Sequence, residues 1–182
     1  LENNSFTNKN NTKAVIYIVR DPRNVITSLS NHFAKNIEES YQMITKKSFM
    51  LTDSEWGGDN FGGVTIIGSW SEHFKSWQKI KFAPILIIKY ENLINDTANS
   101  LIAIIKFLKN YIDVEIDNKK ILKTINSCAF DNLVSMEKKF GFQEGVYSKK
   151  DNKKINFFYL GKKNDWKNLL NPEIEKKIRI EF

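Results

Sequence analysis

The sequence predicts an α/β fold with a parallel sheet, on two observations. Residues 14–19 and 85–88 are short apolar runs rich in β-branched side chains, typical of strands buried on both faces of a parallel sheet. Segments with apolar residues at helical spacing separate and follow these runs. No internal repeat or low-complexity linker divides the chain, so we expect one domain over residues 1–182.

The first apolar run, residues 14–19, leads directly into a helix. Asp21 suits the position that caps the free N–H groups of a helix, and Pro22 suits the first helical turn. The helix then presents an apolar stripe formed by Val25, Ile26 and Leu29. Arg20 is therefore expected at the carboxyl end of a strand and beside a helix N-terminus.

This position of Arg20 indicates a ligand site. Ligands of open α/β sheets bind at the carboxyl ends of the strands. A guanidinium there, together with helix N–H groups and the Ser28 hydroxyl two turns on, would suit a phosphate group. Only three of the 28 basic residues are Arg, and two of them, Arg20 and Arg23, share one turn. The alternative is that Arg20 only pairs with a carboxylate.

The second apolar run, Ile85–Ile88, follows Pro84 and is expected to be another parallel strand. Lys89, Tyr90 and Glu91 come at its carboxyl end, so they should lie at the same sheet edge as Arg20. The remaining segments are predicted as helices over 37–47, 97–108, 119–127 and 130–139, with Asp117 as the cap of the third. A further helix is capped by Ser69, a terminal helix begins at Pro172, and loops are predicted over 52–64 and 140–163.

The formal net charge of +7 would suit a nucleic-acid partner. The lysines, however, are scattered in pairs along a chain crowded with Asn, Ile and Lys, as expected of a solvated surface. We therefore expect no nucleic-acid partner, although a positive field attracts an anionic ligand.

Cysteine, histidine and hydropathy limit the class of protein. The single cysteine, Cys128, excludes an internal disulfide framework and fits a reducing, cytoplasmic compartment. With two histidines, His32 and His73, a zinc or other metal site is not expected. No apolar run is as long as a membrane span, and residues 1–13 do not resemble a signal peptide.

Four blocks, in order, resemble the sulfotransferases that use 3′-phosphoadenosine 5′-phosphosulfate (PAPS). They are, in turn, VIYIVRDPRNVITSLSNHF (15–33), GSWSEHFKSW (68–77), ILIIKYENL (85–93) and GKKNDWKN (161–168). The resemblance spans nearly the whole chain, from about Val15 to beyond Lys167. The resemblance implies a three-layer, parallel-sheet, P-loop-like nucleotide-binding fold of the cytosolic type. It also implies PAPS as co-substrate and a small-molecule or carbohydrate acceptor.

The resemblance also assigns the candidate site residues. Arg20 and Ser28 match the arginine and serine that hold the 3′-phosphate, and Tyr90 matches a tyrosine near the adenine. Cys128 and Phe130 match a Thr-Ser-Phe segment whose phenylalanine lies against the adenine. The loop that wraps the same phosphate corresponds here to Gly161, Lys162 and Lys163.

Three departures from the family pattern stand out. Tyr159 and Leu160 occupy the places of an Arg-Lys pair, and Cys128 replaces a threonine. The family's dimer motif is absent after Asp165, so that dimer is not predicted and the oligomeric state stays open.

The family's phosphosulfate loop and its catalytic Lys-Thr-His segment do not occur in these 182 residues. We therefore expect the carboxy-terminal part of a longer enzyme, without the N-terminal strand and without a catalytic residue of its own, and inactive when isolated. Two alternatives stay open at this point. One is a related nucleotide kinase, although a Walker lysine is not seen, and the other is a non-catalytic nucleotide-binding or structural module.

Overall fold

The computed structural model describes residues 8–52, 64–142, 147–148 and 153–182. Within these residues the strands are β1 (Val15–Val19), β2 (Met50–Thr52), β3 (Val64–Ile66) and β4 (Ile85–Lys89). The helices are α1 (Pro22–His32), α2 (Ile37–Thr45), α3 (Trp70–Gln78), α4 (Tyr90–Asn95), α5 (Thr97–Leu108), α6 (Asn118–Ser127), α7 (Phe130–Phe140), α8 (Trp166–Leu169) and α9 (Pro172–Glu181). A 3₁₀ turn covers Gly161–Lys163.

The chain divides into two compact units. The first comprises Leu1–Arg20 and Phe74–Ser127, and the second comprises Asp21–His73 and Cys128–Phe182. The expectation of a single domain over residues 1–182 stays a prediction.

The first unit contains the parallel pairing that the two apolar runs predict. β1 and β4 lie side by side in parallel, with Val15 opposite Ile85 and Val19 opposite Lys89. The backbone N–H of Val15 also donates to the carbonyl of Pro84 over 2.9 Å. Arg20 and Tyr90 therefore leave adjacent strands at the same end, as predicted.

The prediction that both strands are buried on both faces is wrong. Ile88 is buried, but Ile18 is 49% exposed, and Ile16 and Ile87 are exposed as well. Tyr17 is covered by the aromatic rings of Phe74 and Trp77, each with its centroid 6.0 Å away. A run of apolar residues shows only the composition of a strand, whereas the burial of its side chains depends on which elements pack against each face.

The second unit has its core between α1, α2 and α9. Ile26 of α1 is fully buried against Ile44 of α2 and against Ile174 and Ile178 of α9. The apolar stripe predicted for the first helix is thus the face that α1 buries. Pro172 begins α9 as expected, and the side chain of Asn171 caps it by accepting the Ile174 N–H.

The other predicted helices are observed, with small differences at their ends. Ser69 caps α3, because its hydroxyl accepts the Glu72 N–H and also contacts the Glu72 carboxylate. Asp117 caps α6 through the N–H groups of Lys119 and Lys120. The sequence did not predict α4 or the antiparallel pair of β2 and β3. The centre of the loop predicted over 52–64 lies outside the described residues.

Across the described residues, every helix is too short or too polar to reach from one side of a lipid bilayer to the other.

Candidate nucleotide site

Arg20 and Tyr90 meet at the carboxyl ends of β1 and β4. The guanidinium carbon of Arg20 lies 4.4 Å from the centroid of the Tyr90 ring. At this distance the cation is attracted to the electron-rich face of the ring. The contact orients a fork of N–H donors at the edge of the sheet where ligands of α/β proteins bind.

The turn that enters α1 is rigidly tied. The Asp21 carboxylate accepts the backbone N–H of Arg23 over 2.9 Å and also pairs with the Arg23 guanidinium, with a shortest distance of 2.6 Å. The hydrogen bonds that the Arg23 guanidinium donates to the Asp21 carboxylate raise the pKa of Arg23. The same guanidinium stacks 3.7 Å from the ring centroid of Trp166. The second arginine of the turn therefore holds the start of α1 against α8.

Ser28, the predicted phosphate ligand on α1, contacts the loop between the 3₁₀ turn and α8. The side-chain amide nitrogen of Asn164 donates to the Ser28 hydroxyl over 2.7 Å and to the Asn24 carbonyl over 3.1 Å. The amide oxygen of Asn164 contacts the Thr27 hydroxyl. Asn164 is only 8% exposed. Its hydrogen bonds tie this loop to one face of α1.

Gly161 and Phe130 also meet. A Cβ atom built on Gly161 would lie 2.8 Å from two ring carbons of Phe130, and Gly161 has a φ of +53°. Close approach and left-handed backbone both favour glycine at this position. The loop glycine and the aromatic ring that the resemblance assigns to phosphate and adenine are therefore in direct contact.

A buried carboxylate anchors the chain that leads to this loop. Glu137 of α7 is 7% exposed and accepts the backbone N–H groups of Phe157, over 2.7 Å, and Phe158, over 3.0 Å. The ring of Phe158 then lies edge-on to Phe130, with centroids 6.4 Å apart. The position of Phe130 is therefore coupled to that of the loop.

The other candidates are at the surface. Lys162 and Lys163 are exposed in the 3₁₀ turn, and Cys128 is an exposed free thiol. The eight candidates occur in both units: Arg20 and Tyr90 belong to the first, and the remaining six to the second. Within their units, the structure joins Arg20 to Tyr90, Gly161 to Phe130, and Ser28 to the loop that contains Asn164.

Sequence reasoning missed Asn164 and Glu137. Asn164 stands between the glycine-lysine turn and Asp165 in a block already singled out, but an asparagine in a loop reads as an ordinary turn residue. Glu137 is one of 21 acidic residues and carries no local signal of burial. Their roles depend on partners more than 19 residues away along the chain.

Known protein families and structures show what the whole chain is similar to. The family model described as the sulfotransferase domain matches residues 3–180. The chain belongs to the sulfotransferase domain family. A related sequence is the amine sulfotransferase of Oryctolagus cuniculus, 26% identical over 174 residues, which are 91% of this chain and 52% of the relative. Cytosolic sulfotransferase 5 of Arabidopsis thaliana is also 26% identical, covering 93% of this chain and 50% of the relative.

A solved mouse sulfotransferase complexed with PAP shares the fold. It superposes with a TM-score of 0.59 at 22% identity, covering 92% of this chain and 56% of that chain. This likeness confirms the predicted α/β, P-loop-like fold class. The sulfotransferase-domain chain spans about half the length of the curated relatives it matches.

Proposed function

We propose that the protein to which this chain belongs is an enzyme that moves a sulfuryl group from PAPS to a hydroxyl or amine. The acceptor is a small molecule or a carbohydrate. We place the protein in the cytoplasm. This chain contributes the half of the site that binds the 3′-phosphate and the adenine. Membership of the sulfotransferase domain family, the names of the rabbit and Arabidopsis relatives and PAP in the mouse structure support the proposal.

The observation that carries the proposal is the contact between Arg20 and Tyr90 at the carboxyl ends of two parallel strands. Arginine binds phosphate through two parallel hydrogen bonds, and an aromatic ring offers a flat apolar face to a purine. The 3′-phosphate and the adenine are the two groups that distinguish PAPS from a simple sulfate donor. A side chain suited to phosphate, Arg20, and one suited to a purine, Tyr90, therefore follow the ends of neighbouring strands.

The family resemblance also assigns six residues of the second unit to the nucleotide. Ser28 adds a hydroxyl donor to the 3′-phosphate, and the turn of Gly161, Lys162 and Lys163 adds positive charge and backbone N–H groups. The resemblance assigns Phe130 to the adenine, with Cys128 in the same segment of the chain. The proposed transfer uses no metal ion.

Titration calorimetry on the whole protein with adenosine 3′,5′-bisphosphate tests this assignment. We expect Arg20→Ala to weaken binding by about 1.5–3 kcal/mol, because a charge-assisted bond is lost, and Ser28→Ala by about 1 kcal/mol. The matched control is Arg179→Ala. Arg179 is an exposed arginine paired with Glu175, so its removal should leave nucleotide affinity unchanged.

Two results would contradict the proposal. Unchanged affinity in Arg20→Ala would reject the site. Nucleotide binding without transfer of radiolabelled sulfate to any of a panel of phenols, alcohols and amines would instead favour a non-catalytic nucleotide-binding module.

A further inference from the structure

The hydrogen bonds of Asn164 have a defined direction. Its amide group lies between the Asn24 carbonyl, 3.1 Å away, and the Ser28 and Thr27 hydroxyls. A carbonyl oxygen only accepts hydrogen bonds, so the amide nitrogen of Asn164 must face Asn24. The same NH₂ group therefore also faces Ser28, and the amide oxygen faces Thr27.

This direction determines how Ser28 is used. A hydroxyl has one proton to donate and two lone pairs that accept. Because the Asn164 N–H occupies one lone pair of Ser28, the Ser28 proton is directed away from Asn164. A hydroxyl that accepts from Asn164 can donate its own proton only to a different acceptor, and a phosphate oxygen is such an acceptor.

Burial makes the arrangement stiff. Asn164 is 8% exposed. The adjoining segment is tied as well, because the Trp166 N–H donates to the Asn24 side chain over 2.9 Å. A rigid amide in this environment orients its partner hydroxyl before any ligand arrives, which removes part of the entropic cost of binding.

We propose that Asn164 is a positioning residue that orients the Ser28 hydroxyl toward the 3′-phosphate of the nucleotide. The inference rests on the proposed function, because it needs Ser28 as a phosphate ligand. Asn164 itself acts through Ser28 and does not contact the nucleotide. Its effect should therefore appear only for nucleotides that carry a 3′-phosphate.

The test measures the affinity of the whole protein for adenosine 3′,5′-bisphosphate and for adenosine 5′-monophosphate, and takes the ratio. We expect Asn164→Ala to lower the ratio about fivefold, as expected for one neutral hydrogen bond. Asn164→Asp, which keeps the shape but loses the N–H donors and adds a negative charge, should lower it further. Asn168→Asp is the matched charge control on an exposed position four residues on, and it should lower the ratio less than Asn164→Asp.

Two further variants separate positioning from a purely structural role. Thr27→Val removes the contact on the oxygen side of the amide, so it should reduce thermal stability but leave the affinity ratio near that of the wild type. Asn164→Ala combined with Ser28→Ala should bind the bisphosphate no more weakly than Ser28→Ala alone, because Asn164 acts through Ser28.

The outcomes are distinguishable. If the unmodified protein does not prefer the bisphosphate, the proposed function and this inference both fail. If it does prefer the bisphosphate but Asn164→Ala and Asn164→Asp leave the ratio unchanged, only the inference is overturned. The inference would also be overturned if Asn164→Ala reduced affinity for the bisphosphate equally in the wild-type and Ser28→Ala backgrounds.

Discussion

The Arg20 guanidinium rests against the face of the Tyr90 ring, with 4.4 Å between its central carbon and the ring centroid. Each residue directly follows a strand of the parallel pair, β1 for Arg20 and β4 for Tyr90. The register of the strands thus places a cation and an aromatic ring side by side, and substitution of Tyr90 tests how far the ring holds the arginine in place.

We expect Tyr90→Phe to retain nucleotide affinity within about twofold, since phenylalanine keeps the ring face that attracts the cation. Tyr90→Leu should weaken binding by about 1 kcal/mol, a typical value for a lost cation–π contact. Titration with adenosine 3′,5′-bisphosphate measures both. Tyr147→Leu, at an exposed tyrosine, is the matched control, and an equal effect there would refute a specific role for Tyr90.

Gly161→Ala should destabilise the second unit. The added Cβ would lie 2.8 Å from the Phe130 ring, and the φ of +53° is unfavourable for alanine. The expected loss in the free energy of unfolding is about 1–2 kcal/mol from the backbone conformation, with an added cost from the clash. Urea unfolding checks the total. In a Phe130→Ala background the clash should disappear, so a loss as large as that in the wild-type background would contradict the contact.

Glu137→Gln should reduce stability more than a surface substitution of the same kind. The carboxylate accepts two backbone N–H groups, from Phe157 and Phe158, whereas an amide offers one oxygen and faces the second N–H with its own donor. A buried donor left without a partner costs about 1–3 kcal/mol. The control is Glu38→Gln, which breaks an exposed ion pair with Lys177 and should cost under about 1 kcal/mol. Equal urea midpoints for the two variants would count against the anchoring role of Glu137.

His73 should make the fold sensitive to mild acid. Burial lowers the pKa of His73 below its usual value near 6.5. Below pH 6.5 the unfolded chain therefore takes up a proton that the folded chain does not, and stability falls as the pH decreases from 6.5 through the folded pKa. His73→Gln should unfold with a weaker pH dependence between pH 7.5 and pH 5. At pH 8 His73 is neutral in both states, and the difference between the two proteins at that pH gives the effect of the substitution itself. Parallel stability curves would exclude His73 as the source.

The purified 182-residue chain should transfer no sulfate. His32 lies among aromatic rings, 4.6 Å from Phe33 and 5.5 Å from Phe157 between centroids, and His73 is partly buried on α3. Neither is placed as a general base for an acceptor. A radiolabelled-sulfate assay with phenols, alcohols and amines measures the activity. Turnover that His32→Ala or His73→Ala abolishes would show that one of them is the catalytic base.

The sequence by itself determined the local elements and the family. The β-branched runs, the caps at Asp21, Ser69 and Asp117, and the proline at the start of α9 act through near neighbours, so helices and strands follow from them. The parallel pairing of β1 with β4 and the common end for Arg20 and Tyr90 were also predicted, because apolar runs separated by helices are typical of a parallel sheet. The order of the motifs was enough to identify the sulfotransferase domain.

Only the tertiary structure decided which distant groups meet. Asn164 reaches Ser28 across 136 positions, and Glu137 holds the N–H groups of Phe157 and Phe158 from a different element. The exposure of Ile18 in a run that reads as fully buried has the same origin. Burial and long-range hydrogen bonds depend on how the elements pack in three dimensions. The residues that neighbour a side chain in the sequence do not specify which distant group will contact it.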